Sequence, residues 1–352
     1  MNSRERILQA IQLQTLDRIP TDFWATPEVI HDLKKHLGVN TARELWHKLH
    51  VDKIVTISPR YIGPTLASGR PGIVRDYWGI EYKLQLYGTG VYEEMVYHPL
   101  GHARTFADVD AYEFPKVEWF DYESLAQSIG AYYPDYAIEV GYSAPFYLFN
   151  KLVGLEQSLL MLVENPDLAH YIIGKIVDFF YRFAYRQFEA VDGKADITQV
   201  TDDFGCQTGL LISRSMFSEF FHGHYKRLID LAKEFDLFVF HHDDGACREI
   251  LPDLIELGID ILNPVQWNCP GMDRQQLEED FGDSICFHGG VENQAILPFG
   301  TEAEVRQEVR ACIDLLGPET GYILASCHNI QPITPIENII AMYDEAFHYG
   351  QM

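Results

Sequence analysis

The stretch Leu237–Gln266, LFVFHHDDGACREILPDLIELGIDILNPVQ, contains two short apolar runs separated by a helical pattern. The runs Leu237–His242 and Ile261–Gln266 are rich in β-branched and aromatic residues, which favour strands. Between them, apolar residues recur at helical spacing until Gly258, which is typical of a helix end. The stretch is therefore predicted to form one strand–helix–strand unit of a parallel sheet.

Similar units recur along the chain. Eight runs are predicted to be strands: Thr21–Trp24, Lys53–Ser58, Ala137–Phe146, Ala195–Phe204, Leu237–His242, Ile261–Gln266, Ile285–His288 and Tyr322–Ser326. Eight strands interleaved with helices predict an α/β fold, a single (β/α)8 TIM-type barrel domain spanning residues 1–352. Residues 1–50 are expected to form an N-terminal helical extension, and residues 67–115 a β-hairpin insertion after strand two. A doubly wound sheet is disfavoured because no Gly-rich phosphate loop follows the first strand.

The composition favours a soluble globular protein. The 352 residues are 47% hydrophobic and 22% charged, and the formal net charge is −25. Such a negative field disfavours binding to nucleic acid or to an anionic membrane surface. The N-terminal MNSRERILQAIQ has no signal-peptide core, and the six cysteines form no C-x-x-C pair. We expect a cytoplasmic monomer or homodimer that acts on a small molecule.

Polar side chains follow many of the predicted strands. In (β/α)8 barrels the functional groups gather at the carboxyl ends of the strands. The residues at or just beyond these ends include Arg60, Tyr147, Asp202, Asp203, Gln207, His242, Asp244, Gln266, Glu292, Cys327 and His328. A purely structural barrel has no need of this convergence, so the sequence predicts an active site there.

The sharpest local pattern is His242-Asp243-Asp244-Gly245. Residues two apart in an extended segment point to the same side, so His242 and Asp244 could hold one ion, with His328 closing the site. Imidazole and carboxylate ligands suit Zn²⁺, Mn²⁺ or Fe²⁺. In the alternative interpretation, His242 hydrogen-bonds within a polar barrel mouth and Asp244 caps the following helix.

Other residues also allow two interpretations. Asp202 and Asp203 are candidate acid/base groups, but one of such a pair can instead accept hydrogen bonds from backbone amides. Cys327 is an alternative metal ligand or a packed thiol; since its neighbour His328 would point the other way, the packed thiol is favoured. His241 alternates with His242 and is expected to face the surrounding helices. The predicted substrate-binding residues are Arg60, Tyr147, Gln207, Gln266 and Glu292.

Several segments resemble the uroporphyrinogen decarboxylase superfamily. They are Asp17–Trp24, His242–Gln266, Phe287–Gln294, Leu297–Thr301 and His328–Pro332. The likeness covers nearly the whole chain and is densest from residue 195 onward. Members of this superfamily have a (β/α)8 barrel, which agrees with the independent count of strands.

The resemblance leaves two chemistries open. The true decarboxylases remove carboxylates from an octa-acid porphyrinogen without a cofactor, and hold it partly with an R-Q-x-x-R segment after the first strand. Here the equivalent residues, Trp24–Glu28, read WATPE and contain no arginine, and Arg60 and Lys151 are the obvious basic residues nearby. Because buried carboxylates need cationic partners, uroporphyrinogen is not the expected substrate.

The other branch comprises metal-dependent methyltransferases that exchange a methyl group between a corrinoid and a thiol. Their zinc is held by an H-x-C-G segment on strand five and a Cys near the end of strand eight. By this resemblance His242 matches the His, Asp244 replaces the first Cys, and His328 takes the place of the second. A one-residue shift would instead select Cys327, giving a softer, more thiol-friendly site. The decarboxylases also carry a His on strand eight, so His328 alone does not discriminate.

The resemblance thus implies a metal-dependent methyltransferase-like enzyme with zinc as the expected ion. It would transfer a methyl group between a corrinoid on a partner carrier protein and a small thiol or other heteroatom substrate. Asp203 and Asp244 would be the catalytic groups. One alternative is a decarboxylase or lyase acting on a smaller carboxylic acid. Another is a non-catalytic subunit that binds a corrinoid protein, which would not need the polar strand ends.

Overall fold

A parallel sheet of seven strands organises the chain. The computed structural model describes residues 1–87, 90–317 and 321–352. The strands are β1 (Ile54–Thr56), β2 (Arg60–Tyr61), β3 (Ile73–Arg75), β4 (Glu81–Tyr87), β5 (Gly90–Tyr97), β6 (Phe120–Asp121), β7 (Ala137–Ser143), β8 (Ile197–Val200), β9 (Gly205–Cys206), β10 (Gly209–Leu210), β11 (Phe238–His242), β12 (Ile261–Asn263), β13 (Cys286–Val291) and β14 (Tyr322–Ser326). The main sheet has the order β1-β7-β8-β11-β12-β13-β14, and every pairing in it is parallel.

Helices precede the sheet and connect its strands. They are α1 (Ser3–Ile11), α2 (Pro27–Leu37), α3 (Ala42–Lys48), α4 (Phe106–Asp110), α5 (Tyr122–Ile129), α6 (Pro145–Val153), α7 (Leu155–Glu164), α8 (Pro166–Val191), α9 (Arg214–Phe217), α10 (Gly223–Glu234), α11 (Leu251–Leu257), α12 (Arg274–Phe281), α13 (Ile296–Phe299), α14 (Glu302–Leu316) and α15 (Ile336–Tyr349). Short 3₁₀ turns lie at Val117–Trp119 and Arg248–Ile250, and a π-helical turn at Ser218–His222. The alternation of strands and helices explains why the sheet is parallel, since each strand is followed by a crossover.

The amino ends of the strands are closed by apolar side chains. Each strand of the main sheet contributes one residue to a buried cluster: Ile54, Ala137, Ile197, Phe240, Ile261, Cys286 and Ile323. Helix α1 covers this cluster with Ile7, Ala10 and Ile11. Because this end is filled and apolar, the polar groups of the strands are left to the opposite, carboxyl end.

The predicted first strand is an extended segment with a single bridge to the sheet. Thr21 bridges Leu324 of β14, and its carbonyl accepts hydrogen bonds from the N–H groups of Asp52 (3.0 Å) and Lys53 (3.2 Å). The segment therefore lies between the two edge strands, β14 and β1. Pro20 has no N–H to donate, which limits the ladder at this point. Among the described residues the main sheet has seven strands where eight were predicted.

A separate antiparallel sheet, β3-β4-β5, lies within residues 67–115, where a hairpin insertion was predicted. Residues 88 and 89, between β4 and β5, lie outside the described residues. Strand β2 precedes this sheet in the chain and β6 follows it, and the two pair with each other in antiparallel orientation. The insertion prediction thus falls on a region that contains antiparallel strands.

Within the described residues, no single helix is both long and apolar enough to cross a membrane. Helices α6 and α7 meet that test only when taken together, and they are bent by 104° at their junction.

Candidate active site

Three side chains with metal-ligating atoms converge at the carboxyl end of the sheet. His242 is the last residue of β11, Asp244 lies two residues later, and His328 follows β14. One ligand atom from each lies within 4.8 Å of the other two. The Oδ2 atom of Asp244 is 3.7 Å from His242 Nε2 and 3.8 Å from His328 Nε2. The structure therefore brings together the three residues proposed from the sequence as ligands.

This donor set fits a divalent cation. Two ligands on one tetrahedral zinc ion lie about 3.4 Å apart, given metal–ligand bonds of about 2.1 Å. The contacts of 3.7 and 3.8 Å around Asp244 are longer than hydrogen bonds and close to this spacing. Two imidazoles and a carboxylate suit Zn²⁺, Mn²⁺ or Fe²⁺. Three protein ligands also leave a coordination position open for a substrate.

Alternation along β11 separates two pairs of similar residues. His241 and Asp243 are fully buried, and His241 Nδ1 lies 2.9 Å from the carbonyl oxygen of Val200. His242 and Asp244 point to the other side, toward the mouth of the sheet. The placement of His241 agrees with the expectation that it faces away from the site.

Asp203 lies beside the three candidate ligands. Its Oδ1 atom is 3.8 Å from His242 Nε2 and accepts a hydrogen bond from the backbone N–H of Asp244 (3.2 Å). Burial raises the pKa of Asp244; the two histidines oppose this, and the negative charge of Asp203 adds to it. The carboxylate of Asp203 thus lies next to His242 and Asp244 at the mouth of the sheet.

Asp202, its neighbour in the chain, has a structural role. Its buried carboxylate accepts hydrogen bonds from the N–H groups of Phe146 (2.9 Å) and Tyr147 (2.6 Å), in the first turn of α6. The hydroxyl of Tyr225 donates a third (2.8 Å). Helix N-termini have unpaired N–H groups, and a carboxylate satisfies them. Of the two interpretations of this pair, Asp202 follows the structural one.

Glu292, predicted to be a polar group of the substrate pocket, binds the backbone at the start of α13. Its buried carboxylate accepts hydrogen bonds from the N–H groups of Gln294 (2.6 Å), Ala295 (2.7 Å) and Ile296 (2.6 Å) at the start of α13. All of these are backbone donors that would otherwise be unpaired. A contact between Glu292 and a substrate stays a prediction.

Arg60 and Cys327 also have partners outside the converging group. The exposed guanidinium of Arg60 lies 2.7 Å from Asp121, on the paired strand β6. The buried thiol of Cys327 donates to the carbonyl of Val265 (3.3 Å), and burial raises its pKa well above the ordinary value. Since metals bind the thiolate, this environment disfavours Cys327 as a ligand. Among the described residues, the side chain beyond β14 that lies with His242 and Asp244 is that of His328.

The two predicted glutamines contact each other near the site. Gln266 Nε2 donates to Gln207 Oε1 (3.2 Å), and the thiol of Cys269 lies 3.7 Å from the same oxygen. Burial raises the pKa of Cys269, and the charge of Asp244 contributes to that rise. The glutamine pair therefore borders the candidate site.

Two tyrosines lie within electrostatic reach of Asp203. Strand β7 has a bulge after Glu139, so that Tyr142 lies opposite Gln199 of β8. Tyr147 lies in the first turn of α6, with Lys151 Nζ 5.0 Å from its ring centre. Burial raises the pKa of both phenols, and the charge of Asp203 adds to the rise. Both side chains are therefore neutral hydrogen-bond donors within electrostatic reach of Asp203.

A cavity of about 290 Å³ adjoins the site. Trp24 and Asn329, the neighbour of His328, are among its lining residues, and the remainder are largely apolar. The ring of Trp24 lies 6.0 Å from that of His242, centre to centre. None of the three candidate ligands lines this cavity, so it lies beside the candidate site and not within it.

Sequence reasoning missed the groups behind His242. Asn263 Oδ1 lies 2.5 Å from His242 Nδ1, and His288 Nδ1 lies 2.7 Å from Asn263 Nδ2. On the other side of the ring, His288 Nε2 lies 3.1 Å from Asp22 Oδ2. The available signal was that Asn263 and His288 lie on the two strands that follow β11 in the sheet.

Several known proteins are similar to this chain. A methylated-thiol–coenzyme M methyltransferase of Methanosarcina mazei is 29% identical over 203 residues, covering 56% of this chain and 50% of that protein. A uroporphyrinogen decarboxylase of Chlorobium phaeobacteroides is 24% identical over 204 residues, covering 56% of this chain and 51% of that protein. The chain thus spans about half the length of these curated relatives, both of which are enzymes.

A solved structure of a methyltransferase from Methanosarcina mazei has the same fold. It matches with a TM-score of 0.67 at 19% identity, over 99% of each chain. The family model "Uroporphyrinogen decarboxylase (URO-D)" matches residues 92–349, well over half of the 352 residues. The resemblance identified from the sequence motifs is confirmed. The chain belongs to the uroporphyrinogen decarboxylase (URO-D) family.

Proposed function

We propose that this protein is a metal-dependent methyltransferase-like enzyme. It transfers a methyl group between a corrinoid, carried on a partner protein, and a small thiol or other heteroatom substrate. The observation that carries the proposal is the convergence of His242, Asp244 and His328 at the mouth of the sheet. The similarity to a methyltransferase from Methanosarcina mazei in sequence, and to another in fold, supports it.

His242, Asp244 and His328 would hold the ion, and zinc is the expected metal. A divalent cation there supplies Lewis acidity, which lowers the pKa of a thiol or hydroxyl that binds it. A ligand set without thiolates is hard, so the ion attracts electrons more strongly than one held by cysteines. This set therefore extends the expected acceptors from thiols to hydroxyls and other heteroatoms.

The chain's own residues supply the proton transfer and the positioning. As the substrate heteroatom formed its bond to the methyl carbon, Asp203 would accept its proton, and the electron pair of the broken methyl–cobalt bond would stay with the corrinoid. The neutral phenols of Tyr142 and Tyr147 would orient the substrate by donating hydrogen bonds. Trp24 would exclude water from the space beside His242, because the centres of the two rings lie 6.0 Å apart.

The charge at the site argues against a substrate with many carboxylates. Asp203 and Asp244 both face the mouth, and the ammonium of Lys53 is already paired with Asp22 at 2.9 Å. The ammonium of Lys151 is already held 4.9 Å from the ring centre of Tyr82 and 5.0 Å from that of Tyr147. A porphyrinogen with eight carboxylates would be repelled here. Decarboxylation of a smaller acid, or corrinoid-protein binding without catalysis, are the outcomes to distinguish by assay.

Metal content is the first test. We expect close to one zinc or iron per chain in untagged protein, and its loss in His242→Ala and His328→Ala. The exposed His36 supplies the matched control, because His36→Ala also removes an imidazole and should retain the metal. Wild-type protein that takes up no metal on reconstitution would remove the metal-dependent mechanism.

Activity is the second test. Metal-loaded protein should consume the methyl group of a methylated corrinoid carrier when a thiol is added, and lose this activity in His242→Ala. Turnover of a small carboxylic acid with release of carbon dioxide, and no methyl transfer, would identify a decarboxylase. Tight binding to the corrinoid carrier with neither reaction would identify a non-catalytic subunit.

A further inference from the structure

A continuous chain of side-chain contacts leads away from His242 through the interior of the sheet. His242 Nδ1 lies 2.5 Å from Asn263 Oδ1, and Asn263 Nδ2 lies 2.7 Å from His288 Nδ1. His288 Nε2 lies 3.1 Å from Asp22 Oδ2, and Lys53 Nζ lies 2.9 Å from the other oxygen of Asp22. Asn263, His288 and Asp22 are fully buried. Water is therefore not available to replace any of their hydrogen bonds.

Asp22 sets the direction of the first hydrogen bond. Its carboxylate also accepts from the backbone N–H of Phe23 (2.8 Å) and the indole N–H of Trp24 (2.7 Å). Burial opposes ionisation, but the Lys53 ammonium and the hydrogen bond from His288 lower the pKa of Asp22 below its ordinary value. An ionised carboxylate is only an acceptor. His288 must therefore carry its proton on Nε2 and donate it to Asp22.

The contacts with His288 determine how the side-chain amide of Asn263 is oriented. An amide nitrogen only donates, and Asn263 Nδ2 lies 2.7 Å from His288 Nδ1, so this ring nitrogen is the acceptor. The same Nδ2 lies 3.4 Å from the backbone carbonyl of His288, a second acceptor that selects the same orientation of the amide.

The orientation of Asn263 determines the tautomer of His242. With Nδ2 directed at His288, Asn263 presents its oxygen to His242, so Nδ1 of His242 must be the protonated nitrogen. The lone pair of His242 then lies on Nε2, the atom that faces Asp244 and Asp203 at 3.7 and 3.8 Å. Trp24 packs over both imidazoles, with ring centres 6.0 Å from His242 and 5.5 Å from His288.

We infer that Asp22, His288 and Asn263 are positioning residues that fix His242 in its Nδ1-protonated tautomer before a metal binds. The inference rests on the proposed function in one respect: the lone pair is prepared for the ion held by His242, Asp244 and His328. Hydrogen bonds to the second nitrogen of a ligating histidine contribute typically 10- to 100-fold to metal affinity. The chain thus extends the site by three residues that touch neither metal nor substrate.

The direct test uses metal-free wild-type protein labelled with ¹⁵N-histidine. The His242 signals are identified as those missing from His242→Ala. We expect nuclear magnetic resonance to show a proton on Nδ1 and none on Nε2 of His242. A proton on Nε2, or a mixture of the two tautomers, would overturn the inference. The measurement leaves Asp22, His288 and Asn263 unaltered, and His242→Ala serves only to assign the signals.

The second test measures zinc affinity by competition with a chelating dye. His288→Leu leaves all three candidate ligands in place, yet we expect its zinc dissociation constant to rise by about 10- to 100-fold. The control is Phe240→Leu, a fully buried residue whose ring centre lies 5.2 Å from that of His288. It removes packing from the same place but no hydrogen bond, so zinc affinity should be unchanged. Equal weakening in both variants would show that only packing matters.

The two proposals fail in different ways. If the protein binds zinc while His242 carries its proton on Nε2, the control of the tautomer by Asp22, His288 and Asn263 is contradicted. The proposed function is left intact. Failure of the wild-type protein to bind zinc, with the Nδ1 tautomer present, would contradict the proposed function and leave the control of the tautomer intact.

Discussion

Asp202 and Asp203 are neighbours in the chain, but their carboxylates have different surroundings. Asp202 is buried and accepts three hydrogen bonds, whereas Asp203 lies at the mouth beside His242. Leaving buried donors unpaired costs about 1–3 kcal/mol each, so Asp202→Ala should lower the free energy of unfolding by about 3 kcal/mol or more. Urea denaturation measures this change.

Asp203→Ala should lower turnover strongly but the free energy of unfolding only slightly. Its loss removes one hydrogen bond to a backbone N–H, at a cost of about 1 kcal/mol. As the proposed proton acceptor, Asp203 should contribute about 10²- to 10⁴-fold to turnover. A stable Asp203→Ala protein with full methyl-transfer activity would contradict this role.

Glu139 carries a prediction about pH. Its carboxylate is buried, accepts hydrogen bonds from Thr56 (2.8 Å) and Gln199 (3.0 Å), and has a pKa that burial raises above its ordinary value. A raised pKa means that the folded state holds the proton more tightly than the unfolded state. The contribution of Glu139 to stability is therefore lost as the pH rises through its folded pKa.

The neutral substitution Glu139→Gln should remove this dependence. Relative to wild type, its melting temperature should rise from pH 5 to pH 8, because the wild type must bury a charge at the higher pH and the variant need not. Thermal melts at the two pH values measure the difference. A variant whose relative stability falls with pH would show that Glu139 is stabilised as a carboxylate.

At the scale of elements, the bulge in β7 determines what faces the site. Between Glu139 and Tyr142, two residues of β7 lie opposite a single residue of β8, and Gly141, one of the two, has a φ of +81°. A Cβ atom at Gly141 would lie 2.6 Å from the hydroxyl of Thr198. Such bulges redirect a side chain next to a functional site. Here the extra residue brings Tyr142 to the same face as Glu139.

Gly141→Ala tests the bulge. The positive φ and the contact with Thr198 should together lower the free energy of unfolding by about 1–3 kcal/mol. Because the strain acts on the bulge, we also expect weaker substrate binding, measured as a higher KM. Gly174→Ala, on α8 with no atom near its added methyl group, is the control and should not lose stability. Equal effects of the two substitutions would contradict the role of the bulge.

The strands of the main sheet were predictable, because most of their apolar runs are bounded by helical patterns. The segment Thr21–Trp24 has the same local composition, but its pairing depends on the distant residues Asp52 and Leu324. His242 and Asp244 could be grouped by spacing alone. The roles of Glu292 and His288 could not, since a four-residue helix has no periodic signal and a side-chain contact between strands has no spacing rule.

For the whole molecule, the candidate ligands come from distant parts of the chain. His242 and Asp244 lie at β11, and His328 lies beyond β14, so one ion would link the carboxyl ends of separate strands. A ligand that binds only the folded state stabilises it by about 2.7 kcal/mol at 100 times its dissociation constant. Zinc should therefore raise the melting temperature.

The stabilisation by zinc should depend on the candidate site. Calorimetry should show a higher melting temperature for wild type and His36→Ala, and no increase for His328→Ala. Because the net charge is −25, Mg²⁺ at the same concentration controls for general screening of the negative surface. An equal increase with Mg²⁺ would show that screening, and not the site, stabilises the protein.

The candidate ligands His242, Asp244 and His328 contain no sulfur, which affects how the site would respond to oxidants. The Cys327 thiol is buried against the carbonyl of Val265, and burial also raises the pKa of the Cys247 thiol well above its ordinary value. Oxidants attack accessible thiolates, and neither of these groups is one. Imidazoles and a carboxylate resist the same oxidants. A metal centre of this composition should keep its ion through an exposure to oxygen or peroxide that would destroy a thiolate centre.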